Sequence, residues 1–221
     1  MLNEMMHRPI IDKAVLTFLR EQQQPLKGPL GNFEKQVREA GVPVIPPETV
    51  NFFKVLLKIM RPKRILEVGT AVGFSTTLMA LNTPETTKIT TIDRFDVMLT
   101  QARQTFKKFA LEERVQLLAG DAADLLPKLT ATYDWIFLDS AKAKYISFLP
   151  DCLRLLNTHG VLLIDDVMQG GTVLKPDSEI KHKNRSIHRN LNRLFTRVFE
   201  DDTLSSSILP LGDGLLMITK N

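Results

Sequence analysis

The apolar positions of the chain fall into two regimes. Through the first third they recur at helical spacing. Residues 11–19 form one such stretch, closed by polar residues 21–24 and Pro25. Asn32 reads as an N-cap, with Lys35 and Val37 inside its helix and Gly41 as its stop. The run 42–47 (VPVIPP) reads as extended, because the residue before a proline is pushed out of the helical region. Val50, Phe53, Leu56, Leu57 and Met60 then share one face of a helix over 48–60, which Pro62 ends.

After residue 62 short apolar runs alternate with helical segments. Strands are predicted over 65–68, 88–92, 115–118, 135–138 and 161–164, and helices over 76–81, 96–109, 122–129 and 145–156. Continuous apolar strands separated by helices imply a parallel sheet covered on both faces, an α/β fold. Right-handed crossovers then bring the C-terminal ends of the strands to one edge, where open sheets of this kind bind ligands. The tail differs: 204–209, a turn at Gly212-Asp213-Gly214 and 215–219 read as a closing hairpin with at least one antiparallel strand. One domain over 1–221 is expected, with 1–61 as a helical extension packed on it.

Composition adds boundaries. A chain that is 43% hydrophobic and 24% charged is ordinary for a globular protein and can bury a large core. The single cysteine, Cys152, lies among leucines and reads as core; it cannot form an internal disulfide, which suits a reducing cytoplasm. No run approaches about 18 apolar residues, and the N-terminus lacks an apolar core followed by a cleavage site. A soluble, cytoplasmic protein with no membrane partner is therefore expected. The net charge of +4 permits an anionic partner such as RNA without demanding one.

Candidate chemistry gathers at the strand ends. Gly69 and Gly73 follow the first strand, and Phe74 and Ser75 open a helix; glycine allows close backbone approach, and a helix start offers N–H groups to a ligand. The G-x-x-x-G spacing lacks the dinucleotide fingerprint. Glu67 beside it is awkward for a pyrophosphate and suits a cationic amino-acid group. Asp93 ends the next strand, placed for ribose hydroxyls, and Gly120-Asp121-Ala122 ends the third, placed for an adenine. A glycine pair after a strand is often only a tight turn; three successive loops on one edge make a nucleoside site.

Asp139, Asp165 and Asp166 follow two further strands. Three carboxylates without a His or Cys cluster suit a hard divalent cation, Mg²⁺ first, then Mn²⁺ or Ca²⁺. Singly, each could merely cap a turn. Lys142, three residues after Asp139, is the candidate general base for a hydroxyl, with Lys144 as its competitor. Farther on, Lys175 and the arginines Arg185, Arg189, Arg193 and Arg197 form a basic segment, the arginines repeating every four residues along a helix. Such a stripe can track phosphates or can simply be a solvated face.

Taken in order, ILEVGTAVGFS, TTIDR, AGDA, YDWIFLDSAK, GVLLIDDV and PLGDGLLM resemble the cation-dependent O-methyltransferases of the catechol and caffeoyl-CoA type, from about residue 42 onward. Within that family the likeness is strongest to the bacterial tRNA 5-hydroxyuridine methyltransferases, carried by VPVIPPE, DSAKAKY, DDVMQGGTV and the basic segment after it. The resemblance implies a Rossmann-like class I methyltransferase with a mostly parallel seven-stranded sheet, helices on both faces and a C-terminal antiparallel hairpin. It implies S-adenosylmethionine as cofactor, a divalent cation, a homodimer, and tRNA methylated on its wobble 5-hydroxyuridine. It further implies that Ile45, Gly69, Ser75, Asp93, Asp121 and Ala122 touch the cofactor, with Asp139 counted in the cofactor and catalytic sets as well. Asp139, Asp165 and Asp166 would hold the metal, and Lys142 would lie near the acceptor hydroxyl. The family usually has Asn where this chain has Asp166, which adds a charge and removes an amide donor. A small-molecule, catechol-like acceptor and a non-catalytic nucleoside-binding protein are the alternative readings.

Overall fold

The computed structural model describes residues 10–221, so the first nine residues of the expected helical extension lie outside the described residues. The seven strands form one mostly parallel sheet. The chain divides into two compact units.

The unit over Ile11–Asp121 opens with three helices. The first, α1 (Lys13–Gln22), starts where the Asp12 carboxylate accepts the N–H groups of Ala14 and Val15. The second, α2 (Gly28–Glu39), begins five residues earlier than an N-cap at Asn32 suggests. The reason is Pro29: its fixed φ and missing N–H suit a first helical turn, so the helix starts there and Asn32 falls inside it. The third, α3 (Pro47–Met60), follows the extended Pro46. Pro47, expected to lie in the extended run, instead opens the helix, where its missing N–H costs nothing. The helix stops at Arg61, whose φ of 47° is left-handed. Then come β1 (Arg64–Val68), α4 (Phe74–Leu81), β2 (Lys88–Asp93), α5 (Asp96–Lys108) and β3 (Val115–Ala119). The three strands are parallel, with Ile65 opposite Ile89 and Ile89 opposite Val115, so the loops after them share one edge. Phe33 of α2 packs against Phe74 of α4 and against Phe109, with ring centroids 6.2 and 5.8 Å apart.

The unit over Ala122–Asn221 begins with α6 (Ala122–Leu125), which gives way to a 3-10 turn at Leu126–Lys128. A single helix over 122–129 is not formed, because Pro127 has no N–H to continue it. Next are β4 (Tyr133–Leu138), α7 (Tyr145–Leu155), β5 (Leu156–Ile164), α8 (Arg185–Phe199), β6 (Leu204–Leu209) and β7 (Leu215–Lys220). Strands β4 and β5 run parallel, with Leu138 opposite Ile164, so Asp139 and Asp165 leave the sheet side by side. Strand β7 pairs antiparallel with both β5 and β6, which is the expected hairpin. Residues 135–138 and 161–164 are almost wholly buried, and so is Cys152. Each such large apolar side chain contributes about 1.5–3 kcal/mol by leaving water, which fixes the strands whose ends carry the acids.

Candidate active site

In the first unit the loop after β1 is built around backbone geometry. Gly73 has a φ of 82° and stands before α4, whose start no side chain caps. A Cβ at Gly73 would lie 2.8 Å from the Phe106 ring, so glycine is needed there for packing as well as for conformation. Asp93, at the end of β2, ties this loop down: one oxygen accepts the Ala71 N–H at 2.8 Å, the other the N–H groups of Arg94 and Phe95. The oxygen bonded to Ala71 keeps a second lone pair for a ligand hydroxyl, whereas the other already accepts two N–H groups. Asp121 accepts a hydrogen bond from Arg94 at 2.8 Å, and the Gly120 N–H donates to the Asp93 carbonyl. The three loops thus converge as the sequence suggested, joined by hydrogen bonds through Asp93 and Arg94.

Three of the expected cofactor residues are engaged inside the protein. The Glu67 carboxylate is fully buried and takes hydroxyl bonds from Ser75 (2.5 Å), Thr91 (2.6 Å) and Thr76. Thr91 is in turn bonded to Thr70 at 2.6 Å. Burial pushes the Glu67 carboxyl up to about 7, against the lowering effect of those hydroxyls. Glu67 therefore acts from within, locking β1, β2 and the start of α4 together. The Phe74 ring lies in the core beside Phe33, so only its backbone belongs to the loop. Ile45 is buried, and its carbonyl accepts a hydrogen bond from Arg38 at 2.7 Å.

In the second unit the strand-end acids are brought near one another. Asp165 is buried, accepts the Asp166 N–H at 2.8 Å, and donates its own N–H to the Leu138 carbonyl. Burial first, then the charges of Asp166 and Asp139, hold the Asp165 carboxyl well above the usual carboxylate range. Asp166 has a φ of 58°, a conformation that Asp and Asn tolerate better than other non-glycine residues. Lys142 lies in a 3-10 turn after β4 with its Nζ 2.9 Å from Asp166 Oδ2 and 3.6 Å from Asp213 Oδ2. The Asp166 contact is an ion pair without hydrogen-bond alignment. Lys142 is nearly buried whereas Lys144 is exposed, so Lys142 is the lysine that meets the acids.

Crowded hard oxygens are the chemistry a divalent cation relieves, and in that sense the donor set fits one. Among the described residues, however, no three acidic, His or Cys side chains already converge on one point. Asp139, Asp165 and Asp166 would be the residues to hold such an ion. Two residues of this neighbourhood escaped the sequence reading. Tyr145, buried, exchanges hydrogen bonds with the Ser140 backbone, and burial next to Asp139 and Asp166 raises its hydroxyl well above the ordinary value. Asp213 was legible only as a turn residue; its side chain accepts the Gly170 N–H at 2.6 Å, a contact no local pattern reveals. Burial lifts its carboxyl to about 6.

The basic segment does fold as a helical stripe, but its arginines differ. Arg189 makes a bidentate pair with Asp177 at 2.7 and 2.8 Å, Arg197 pairs with Asp201 at 2.5 Å, and Arg185 donates to the Ile180 carbonyl. Arg193 has no ion-pair partner among the described residues, nor have the exposed Lys175, Lys181 and Lys183. Arg189, Arg193 and Arg197 line a shallow groove of about 520 Å³ with Asp177, His188 and Glu200. No helix among the described residues is long and apolar enough to cross a membrane.

Comparison with known proteins identifies the family. A family model described as O-methyltransferase matches residues 32–221. The chain is 26% identical over 219 residues to the caffeoyl-CoA O-methyltransferase of Stellaria longipes, covering 96% of this chain and 89% of that protein. It is 32% identical over 146 residues to the catechol O-methyltransferase of Niastella koreensis, covering 63% of this chain and 66% of that one. Its fold is that of the SAH-bound Podospora anserina methyltransferase PaMTH1, with a TM-score of 0.84, 24% identity and 94% of each chain covered. The chain, with its glycine loop, its strand-end acids and its terminal hairpin, belongs to the O-methyltransferase family.

Proposed function

We propose that the chain is a divalent-cation-dependent O-methyltransferase using S-adenosylmethionine, and that its acceptor is the 5-hydroxyl of the tRNA wobble uridine. The uncapped start of α4 offers N–H groups to the donor's carboxylate, and the spare lone pair of Asp93 Oδ2 accepts from a ribose hydroxyl. Bound donor supplies an electrophilic methyl on a sulfonium; SAH in the PaMTH1 and Bacillus cereus structures is the matching product. Asp139, Asp165 and Asp166 would hold the cation, which, when bound, draws the acceptor oxygen and favours its ionised form. Lys142, held in ion pairs, fits a charge that steadies the developing oxyanion more closely than it fits a neutral base. The buried web around Glu67 fixes the glycine loop in advance of binding.

The observation that carries the tRNA reading is the run of exposed basic residues Lys175, Lys181, Lys183 and Arg193 that follows the acid cluster along the chain. Arg189 can join it, because an ion pair as exposed to water as Arg189–Asp177 is readily exchanged for a phosphate. A second reading, a catechol-like small acceptor, is favoured by the similarity to caffeoyl-CoA and catechol enzymes and by the internal pairing of Arg189 and Arg197. Exposed Val15 and Phe18 on α1, with Val55 and Ile59 on α3, support the proposal of a homodimer. The deciding experiment incubates purified chain, S-adenosylmethionine and Mg²⁺ with tRNA lacking this methyl group, and separately with a free catechol. Nucleoside mass spectrometry should find methoxyuridine in the tRNA; turnover of catechol alone would sink the tRNA reading, and turnover of neither would sink both.

A further inference from the structure

Asp213 holds more charge than its structural duties need. Its side chain is almost wholly buried, at 1% exposure, between Gly212 and Gly214 in the loop leading into β7. One carboxylate oxygen accepts the Gly170 N–H at 2.6 Å. The backbone already ties the same two loops, with the Met168 N–H donating to the Asp213 carbonyl and the Val167 N–H to the Gly214 carbonyl. An asparagine would serve those contacts equally well. The second oxygen, Oδ2, is buried and has no hydrogen-bond partner among the described residues. A buried carboxylate oxygen left in that state is costly unless a cation faces it. Lys142 Nζ does so, at 3.6 Å.

Lys142 has the complementary problem. It is 11% exposed and has two carboxylates within reach, the nearer being Asp166 at 2.9 Å. If Asp166 were its sole counter-ion, any event that engaged Asp166 would strand a nearly buried ammonium, which is strongly unfavourable. Asp213 Oδ2 lies less than 1 Å farther from the same ammonium, so a small side-chain rotation moves Lys142 from one acid to the other.

We propose that Asp213 is a positioning residue: the second counter-ion of Lys142, which keeps the ammonium in place while Asp166 turns to another partner. The value of this arrangement for catalysis rests on the cation-dependent reading above; the sharing of Lys142 between two acids does not, and it can be measured without cofactor, metal or acceptor. The experiment is a double-mutant cycle of Asp166→Asn and Asp213→Asn, both close in shape to the native side chain. Its readout is the rate of reductive methylation of Lys142 by formaldehyde and cyanoborohydride, followed by fragment mass spectrometry with exposed Lys144 as the internal reference.

With a shared ammonium, either single variant leaves one acid in place and Lys142 reacts within about 1.5-fold of wild type. The double variant releases it and the rate rises about tenfold or more, well beyond the product of the singles. The proposal is overturned if Asp166→Asn alone brings Lys142 to the reactivity of Lys144, or if Asp213→Asn adds nothing on the Asp166→Asn background. Should Asp213→Asn fail to fold by circular dichroism, the Asp166→Asn rate still decides between one counter-ion and two. Calorimetric titration of wild type with S-adenosylmethionine and Mn²⁺ is run alongside. Absence of binding there would remove the enzymatic reading and leave the labelling result intact.

Discussion

Replacing Glu67 by Gln tests whether the buried hydroxyl web carries a proton. Burial raises the folded-state value from 4.5 to about 7, so the folded chain holds a proton that the unfolded chain releases. The stability linked to this group is therefore fully present below the unfolded value of 4.5 and is lost as pH rises through about 7. From those two values, wild type should lose roughly 2.5 kcal/mol from Glu67 alone between about pH 5 and about pH 8. Glutamine matches the shape, keeps an acceptor oxygen, and has no proton to lose. Urea unfolding of both proteins across that range isolates the effect, because Asp165 and every other titrating group cancel in the difference. The variant should gain on wild type steadily as pH rises, and its advantage should level off above about pH 8. A difference independent of pH would refute the reasoning: it would mean that Glu67 is ionised in the fold, held by its hydroxyls despite burial.

Three further outcomes are expected. Gly73→Ala should cost about 2–4 kcal/mol, from a left-handed φ and from the overlap with Phe106, visible as a lower urea midpoint before any loss of cofactor affinity. Asp139→Ala should abolish methyl transfer without lowering S-adenosylmethionine affinity more than about tenfold; full activity of that variant in the presence of a chelator would remove the metal from the reaction. Arg193→Gln should weaken tRNA binding and reduce its salt dependence by about one unit of slope, while leaving any turnover of free catechol unchanged. An unaltered salt slope in a filter-binding assay would exclude Arg193 from RNA contact.

The order of strands and helices was legible because each strand is a short apolar run and each ends in a residue of distinct chemistry: Gly69, Asp93, Asp121, Asp139 and Asp165 all stand where the alternation put them. Boundaries moved where local backbone chemistry outweighed the pattern, as when Pro29 opened α2 ahead of Asn32 and Pro127 broke the helix after β3. The roles of buried polar groups were the least legible. Glu67 sits beside the glycines and reads as a ligand contact, yet three hydroxyls drawn from β2 and α4 enclose it. Asp213 reads as a turn, because its partners Gly170 and Lys142 are 43 and 71 positions away in the chain. A pattern along the chain records which face of an element is apolar; it carries no record of which distant donor meets a buried carboxylate. That asymmetry explains why the family could be recognised from its strand ends, whereas the charge balance of the acid cluster required coordinates. Asp166, the departure from the family's usual Asn, is where the two meet: its φ of 58° accounts for why Asn and Asp are both tolerated. The extra charge is met by Lys142, and it is that pairing which makes the second acid, Asp213, consequential.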